Sequence, residues 1–509
     1  MNVDSFLAHY QIHENPFLAE EARHDRVFDR LADSNPTHPD FSKILGQIDR
    51  PTVSVVFGEK GSGKTAIRLL LAKQTAAHNK NNPRQCILLV PYDDLNPMLD
   101  NIARRAGNDP GTALQGLRLE DHQDAILSQA TTRLVHALLG EANELNEPVL
   151  LPHKPDKRIK SMPRQDRIDL AVLAALYDQP RSGSVRHRSR RLRAKLRLGR
   201  SALMRTARFA ATLLTAVAAA MAITWGLITV DQMPWWLVPL LGVTVAATVL
   251  LWCYWGWRHL NLWFFCRKVR DEIRAIDRDA SDLRHLLAEI GPRALARQPI
   301  PQRNGTAPSD YRYQLTRRLV QLLRHLDYTG LLVLVDRVDE PQLVSGDATR
   351  MRAVIWPMFD NKFLQQEGIG LKLLLPIELR HQLHRESPQF FQEARLDKQN
   401  LIDPLIWSGT TLYDLCTHRM RACRSTNADP ITLTDLFDSD VTRETVIDAL
   451  DQMQQPRDAF KFLYSVIQEH CRLTPEDTPK YKIARLICDT VRRKHVERLH
   501  AMYRGLTPA

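Results

Sequence analysis

Acid is absent from one long stretch of this chain. Between Arg181 and Arg208 there are ten arginines, one lysine and no Asp or Glu. The net charge of the chain is +12, so this segment carries nearly all of it and the rest is close to neutral. That distribution excludes a basic nucleic-acid surface spread over the whole protein. Cysteine is also scarce. The seven residues Cys86, Cys253, Cys266, Cys416, Cys423, Cys471 and Cys488 are odd in number and form no CxxC pair. This argues against a disulfide framework or a zinc site and for a reducing compartment. Long Ser, Gly or Gln tracts are missing, and 44% apolar with 25% charged residues is ordinary globular composition, so no large disordered region is expected. The opening "MNVDSFLAHYQIHENPF" lacks a basic start and an apolar run, which predicts no secretory signal. With 509 residues and about 100–200 residues per domain, two to four domains are expected.

Charge of either sign is missing from two further runs. Phe209–Val230, "FAATLLTAVAAAMAITWGLITV", has 22 uncharged residues; as a helix it would reach about 33 Å, against a hydrocarbon core of about 30 Å. After "DQMP" (Asp231 to Pro234) comes Trp235–Trp257, "WWLVPLLGVTVAATVLLWCYWGW". Trp225, Trp235, Trp236, Trp252, Trp255 and Trp257 fall largely near the ends, where indoles favour the membrane interface. A transmembrane hairpin is the expectation, against the alternative of a buried hairpin in a soluble domain. Arginines precede the first run, and Arg258, Arg267, Lys268 and Arg270 follow the second, while the turn carries only Asp231. Positive charge on both flanks places both termini in the cytoplasm. The segment "RHRSRRLRAKLRLGR" reads as a helix with Arg186, Arg190, Arg193, Arg197 and Arg200 on one face and Leu192, Leu196 and Leu203 on another. Such a helix suits an anionic lipid surface. Nucleic-acid binding by the same cluster is the rival reading, weakened by the lack of interleaved aromatics. The runs contain no ionisable side chain but Cys253 and Tyr254, which speaks for an anchor over a transport pathway.

The strongest motif lies earlier. Gly58-Glu59-Lys60-Gly61-Ser62-Gly63-Lys64-Thr65 fits G-x-x-x-x-G-K-[ST]. "TVSVVF" (Thr52 to Phe57) reads as a buried strand entering it. "TAIRLLLAKQTAAH" reads as a helix leaving it, with Ile67, Leu70 and Leu71 on one face. The loop, through Ala66, would wrap phosphate oxygens in backbone amides at a helix N-terminus. Lys64 would reach the β- and γ-phosphates, and the Thr65 hydroxyl would bind Mg2+. Such a loop needs an acidic strand end. "CILLVPYDDL" offers Asp93 and Asp94, which read as a turn or as an outer contact behind the site. "GLLVLVDRVDE" (Gly330 to Glu340) is the better candidate, because Leu331 to Val335 are apolar without interruption, as a central parallel strand requires. Asp336 would hold Mg2+, and Asp339 or Glu340 would orient the attacking water, unless they only cap the next helix.

Ile369–Pro376 ("IGLKLLLP") and Asn400–Ser408 read as further strands, followed by a helix "TTLYDLCTHRMRAC". Alternation of strand and helix predicts a parallel α/β sheet. From about Pro430 the pattern is helical. In "QQPRDAFKF", Pro456 starts a helix and places Arg457 at its positively polarised end, where a cation is tolerable if it faces a phosphate.

A P-loop, a two-helix apolar insert inside the same domain and an acidic strand beyond it together resemble the KAP group of P-loop NTPases, in the STAND division of AAA-like ATPases. "HPDFSKILGQIDRPTVSVVFGEKGSGKTAIR", "VLVDRVDE", "LIWSGTTLYDLCTHRM" and "PRDAFKFL" carry the likeness, over roughly 350 residues. It implies an α/β P-loop sheet flanked by helices, an inserted transmembrane hairpin and a C-terminal helical lid whose Arg457 senses nucleotide. It also implies ATP with Mg2+ as cofactors and hydrolysis using Lys64 with Glu340 or Asp339. Relatives of this kind act as switches in signalling or phage defence. A homo-oligomer, a separate protein effector and a bacterial inner membrane follow from that likeness. The expected segments are 1–180 (first part of the core with a helical insert), 181–208 (Arg-rich helix), 209–257 (hairpin), 258–328 (helical return), 329–428 (second part of the core) and 429–509 (lid). A scaffold that binds nucleotide without turnover is the remaining alternative. Some positions depart from the family pattern. Arg337 stands where a second acidic residue is usual. The strand "LKLLLP" runs into Glu378 where Asn, Ser or Thr often senses phosphate. Arg380, Arg395 and Arg419 are all possible arginine fingers. "ENPF" (Glu14 to Phe17) resembles a segment that packs beside adenine, with a core anchor as the alternative.

Overall fold

A computed structural model describes residues 1–18, 21–31, 38–107, 109–141, 149–151, 155–180, 183–199, 202–227, 237–300, 308–425 and 429–503. The apolar runs form strands β1 (Ser54–Gly58), β2 (Cys86–Tyr92), β3 (Tyr328–Val335), β4 (Ile369–Pro376) and β5 (Asn400–Ile402). They make one parallel sheet in the order β2-β3-β4-β1-β5. β1 and β4 are buried at every position, as strands covered on both faces must be. Ser54 pairs with Lys372 and Gly58 with Pro376, so the C-terminal ends of β1 and β4 finish level. On its other side β1 pairs with β5, Ser54 to Asn400 and Val56 to Ile402. The strand expected over Asn400–Ser408 stops at Ile402, ahead of Pro404, which has no N–H to give to a ladder. β2 ends at Tyr92, and Asp94 Oδ1 accepts from the Asn96 amide at 3.1 Å at the start of the next helix.

The chain divides into two compact units, residues 1–78 with 332–509, and residues 79–331. β3 runs from the second into the first. In the first unit, the helix Lys64–Asn81 follows β1 and buries Ile67, Leu70 and Leu71, the expected face. The C-terminal helices Gly409–Ala422, Arg443–Asp451, Pro456–Leu473 and Arg485–Tyr503 share one apolar core with the N-terminal segment, through Phe6, Leu7, Phe17, Val27 and Leu31. Phe17 of "ENPF" is therefore a core anchor, 3% exposed.

β4 also carries a charge in its interior. Lys372 is 0% exposed, and its Nζ donates to Thr52 Oγ1 and Ser54 Oγ, both at 3.1 Å. Burial lowers its pKa to about 7. Between that value and an unfolded lysine's value of about 10.4, the unfolded chain holds a proton that the folded chain lacks. Stability contributed here therefore rises with pH across that window and is lost on acidification. The unfolding midpoint of the wild type, measured against Lys372→Met, should fall as pH drops from about 9 to about 6. Over that fall the wild type should lose roughly 3 kcal/mol relative to the variant, since about two pH units of the window are crossed at about 1.4 kcal/mol each.

The second unit is helical around a buried charge network. Helix Leu119–Leu139 is buried along most of its length, and Asp121 and Asp124 are among its buried residues. Arg312, on helix Pro308–His325, donates from Nε to Asp124 Oδ1 at 2.9 Å and from Nη2 to Oδ2 at 2.7 Å. The Tyr177 hydroxyl adds a third bond to Asp124 at 2.8 Å. The Arg-rich helix ends at Lys195, and Arg197 adopts the left-handed region at φ 54°, so it does not run on towards the apolar segment. Leu192 and Leu196 are buried. Arg186 pairs with Asp282, Arg188 with Asp178 and Glu141, Arg191 with Glu141, and Arg193 with Glu289. Four arginines of the stretch are thus answered by four carboxylates inside the unit; Arg200 lies outside the described residues.

Of the two apolar runs, one lies in a helix long and apolar enough to cross a membrane: Pro239–Glu272, within the helix Leu237–Glu272. The other helix, Ala202–Leu227, carries a shorter apolar piece among the described residues, Phe209–Ile223. One of the two expected spans is thus seen among the described residues; the end of the first run and the turn Asp231 to Pro234 lie outside them. The two helices pack together, with Trp252 Nε1 donating to Thr215 Oγ1 at 3.1 Å. Phe209, Leu250 and Trp257 are exposed. The long helix does not stop at Trp257; it continues until Cys266 and Val269 are buried. Its terminal carbonyls are then taken by guanidinium groups, as orphan acceptors at a helix C-terminus require. Arg105 donates to the carbonyls of Arg270 at 3.0 Å and Ile273 at 3.2 Å, and Arg312 to that of Glu272 at 3.0 Å.

Candidate phosphate-binding site

The Gly58–Thr65 loop joins the end of β1 to the helix beginning at Lys64. Gly61 and Gly63 have φ of 94° and 93°, a region open to glycine and costly for other residues. A Cβ on Gly61 would also lie 2.9 Å from Arg457 Cβ. The tight curl turns Gly58, Glu59 and Ser62 inward. Lys64 Nζ donates to the carbonyls of Gly58 and Glu59 at 2.7 and 2.9 Å. Ser62 Oγ donates to Glu59 O at 2.9 Å, and the Trp407 indole donates to Ser62 O at 2.8 Å. Gln455 Nε2 donates to the Glu59 carboxylate, and the Arg457 amide to Gly61 O at 3.4 Å. The N-terminus of helix Pro456–Leu473 therefore rests against the loop.

The acidic strand end is beside it. Asp336 follows β3 directly and is 2% exposed; Thr65 Oγ1 donates to its Oδ2 at 3.1 Å. Burial pushes the Asp336 carboxyl above its ordinary range, and the Arg68 guanidinium is the largest influence pulling it back, ahead of the Thr65 hydroxyl. Burial likewise lowers Lys64, while Asp336, Asp339 and Glu378 favour its charged form. Beyond β3, Arg337 takes the left-handed region at φ 59° and donates to Glu340 Oε2 at 3.0 Å. Burial raises the Glu340 carboxyl, and Arg337 opposes it. The Gly346 amide donates to Asp339 O at 2.9 Å, closing this loop.

These elements line a cleft of about 380 Å³, within the range of about 300–1,000 Å³ typical of small-molecule sites. Lys60, Gly61, Gly63, Lys64, Thr65 and Ala66 line it, as do Asp336, Asp339, Glu340 and Arg457. Residues nearly 400 positions apart in the sequence are thus brought to one cavity at the carboxyl ends of parallel strands, the usual place for ligands in open α/β sheets. Phe28, Leu31, Ile67, Leu70, Leu415 and Phe460 give it an apolar wall. One part is lined by the charged side chains Lys60, Lys64, Arg457, Asp336, Asp339 and Glu340; another suits a flat apolar group. Of the three candidate fingers, Arg419 lines the cleft. It is buried, pairs with Asp25 at 2.6 Å, donates to Pro16 O at 2.7 Å and lies 4.5 Å from the Phe460 ring centroid. It is a fixed part of its own chain's cleft. Arg380 pairs with Asp403, and Arg395 is exposed; neither lines the cleft.

Among the described residues no group of three or more His, Cys, Asp or Glu side chains converges to hold a metal. A cation here would rest on Thr65 and Asp336 and complete its shell from phosphate oxygens and water. That donor set, hard oxygens with few protein ligands, fits Mg2+. Trp407, Gln455, Asp25 and Arg68 were not legible as site residues. Only Arg68 carried a signal, since it stands three positions after Thr65 on one helix and so shares its face. No protein-family profile, curated protein or solved structure matches this chain.

Proposed function

We propose that this protein is a membrane-anchored ATPase that binds ATP with Mg2+ in the cleft of the first unit and hydrolyses it. The observation that carries the reading is the 3.1 Å hydrogen bond from Thr65 to Asp336, 271 positions apart. It unites a glycine loop at one strand end with a buried carboxylate at another. Phosphoryl transfer asks a protein chiefly for positioning and charge stabilisation, and the cleft offers both. Loop amides and Lys64 would cradle the phosphates, and Arg457 would face the γ-phosphate from the adjoining helix. Thr65 and Asp336 would hold Mg2+, which supplies neutralisation of charge developing on the phosphoryl oxygens. The apolar wall at Phe28 and Phe460 would take the base. Asp339 or Glu340 would orient the attacking water. Asp339 is favoured, because the Glu340 carboxylate is engaged by Arg337 at 3.0 Å.

The apolar helices of the second unit would cross the membrane as a hairpin and return to the same side, with both termini cytoplasmic and a bacterial inner membrane as the site. A KAP-like switch that assembles with further copies and passes its state to a protein effector is the role proposed from the motifs. The pairing of four arginines with carboxylates in the Arg-rich helix weighs against the nucleic-acid reading. Phosphate release by the full-length protein in detergent tests the enzyme claim. Asp336→Asn should lower the rate by at least about 100-fold and Asp339→Asn by about 100- to 10,000-fold, the usual range for a positioned acid–base group, with a smaller fall for Glu340→Gln. An undiminished rate in Asp336→Asn would sink the metal placement, and nucleotide binding without turnover in the wild type would leave a scaffold.

A further inference from the structure

A buried carboxylate is costly unless something opposite in charge or hydrogen-bonded answers it. At Asp336 two side chains of the same helix do so. Thr65 Oγ1 donates to Oδ2 at 3.1 Å, and Arg68 Nε stands 3.8 Å from that same oxygen. Both members of the ion pair are deeply buried, the Arg68 side chain 5% and the Asp336 side chain 2% exposed. Lys64 is committed elsewhere, since its Nζ donates to the Gly58 and Glu59 carbonyls. The guanidinium of Arg68 is therefore placed where it shares with the Thr65 hydroxyl the oxygen that a metal would need.

We propose that Arg68 is a displaceable counter-ion of the metal site: it answers the charge of Asp336 when no metal is bound and competes with the metal for that carboxylate. This rests on the reading of the cleft as a Mg2+–nucleotide site. A divalent ion arriving beside this buried guanidinium meets repulsion that is strong in a poorly solvated site, so metal alone binds weakly. The phosphates of an incoming nucleotide supply the negative charge that offsets Arg68, and metal and nucleotide then enter together. Arg68 is in this sense a positioning residue; its effect runs through Asp336.

The test uses the full-length protein in detergent micelles. Binding of a fluorescent, non-hydrolysable ATP analogue is measured in EDTA and across a Mg2+ titration, and Mn2+ occupancy is read by electron paramagnetic resonance. In Arg68→Gln the metal concentration for half-saturation should fall by about tenfold, because one repelling charge is gone, while analogue binding in EDTA weakens. In the wild type, thermal stabilisation by metal and analogue together should exceed the sum of their separate effects; this needs no variant and stands if Arg68→Gln does not fold. Unchanged metal dependence in Arg68→Gln, equal loss of binding with and without metal, or stabilisation of the wild type by Mn2+ alone as large as by the pair would each overturn this inference and leave the functional reading standing. No analogue binding by the wild type at any metal concentration would overturn both.

Discussion

Lys64→Ala is expected to weaken binding of Mg2+–nucleotide by about 100- to 1,000-fold. A hydrogen bond to a charged group is worth about 1.5–3 kcal/mol, and an ammonium between two phosphates makes at least two such contacts. Two contacts in the lower part of that range, about 3–4 kcal/mol, give two to three decades at about 1.4 kcal/mol per tenfold. Burial lowers the Lys64 pKa, and Asp336, Asp339 and Glu378 oppose that shift. The loop should keep its shape in the variant. Trp407 still holds the Ser62 carbonyl and Gln455 the Glu59 carboxylate, while only the two bonds from Lys64 to Gly58 and Glu59 are lost. Equilibrium binding of a fluorescent ATP analogue reads the effect, and an unfolding midpoint close to that of the wild type shows that the fold survives. Affinity within a fewfold of the wild type would mean that the loop does not carry the phosphates.

The largest effect on stability is expected at Arg312. Arg312→Met leaves the Asp124 carboxylate buried with the Tyr177 hydroxyl but without its guanidinium, at side-chain exposures of 2% for Arg312 and 0% for Asp124 in the intact pair. Removing one partner of such a pair costs about 3–5 kcal/mol, whereas replacing both by apolar groups of similar size can be nearly neutral. The variant also frees the Glu272 carbonyl at the end of the long apolar helix. The unfolding midpoint of the full-length protein should drop sharply in Arg312→Met, and Asp124→Leu combined with it should recover much of the loss. A single variant as stable as the wild type would mean that the pair is hydrated, contrary to its burial.

Legibility in the sequence followed the range of the interaction. β1 and β4 could be read because a strand buried on both faces must be apolar throughout, and the Gly58–Thr65 loop because its conformation demands glycine at fixed spacing. Asp336 could be placed because a carboxylate closing the run Leu331 to Val335 has few other reasons to be there. What could not be read depended on partners far along the chain. The order of the strands is one such case. Lys372, inside the run "LKLLLP", gave no sign that Thr52 and Ser54 would answer it. Arg419 looked like a candidate for another subunit until Asp25 appeared beside it. In the Arg-rich helix the counter-ions Glu141, Asp178, Asp282 and Glu289 come from other elements and leave no trace in local composition.

The central claim is that the loop, the β3 end and the Arg457 helix form one Mg2+–nucleotide site. Calorimetric titration of the full-length protein in detergent with a non-hydrolysable ATP analogue, with and without Mg2+, tests it most directly. The account predicts one site per chain in the wild type, no measurable site in Lys64→Ala and loss of the Mg2+ dependence in Asp336→Asn. Absence of binding in the wild type, or equal binding in Lys64→Ala, would contradict it.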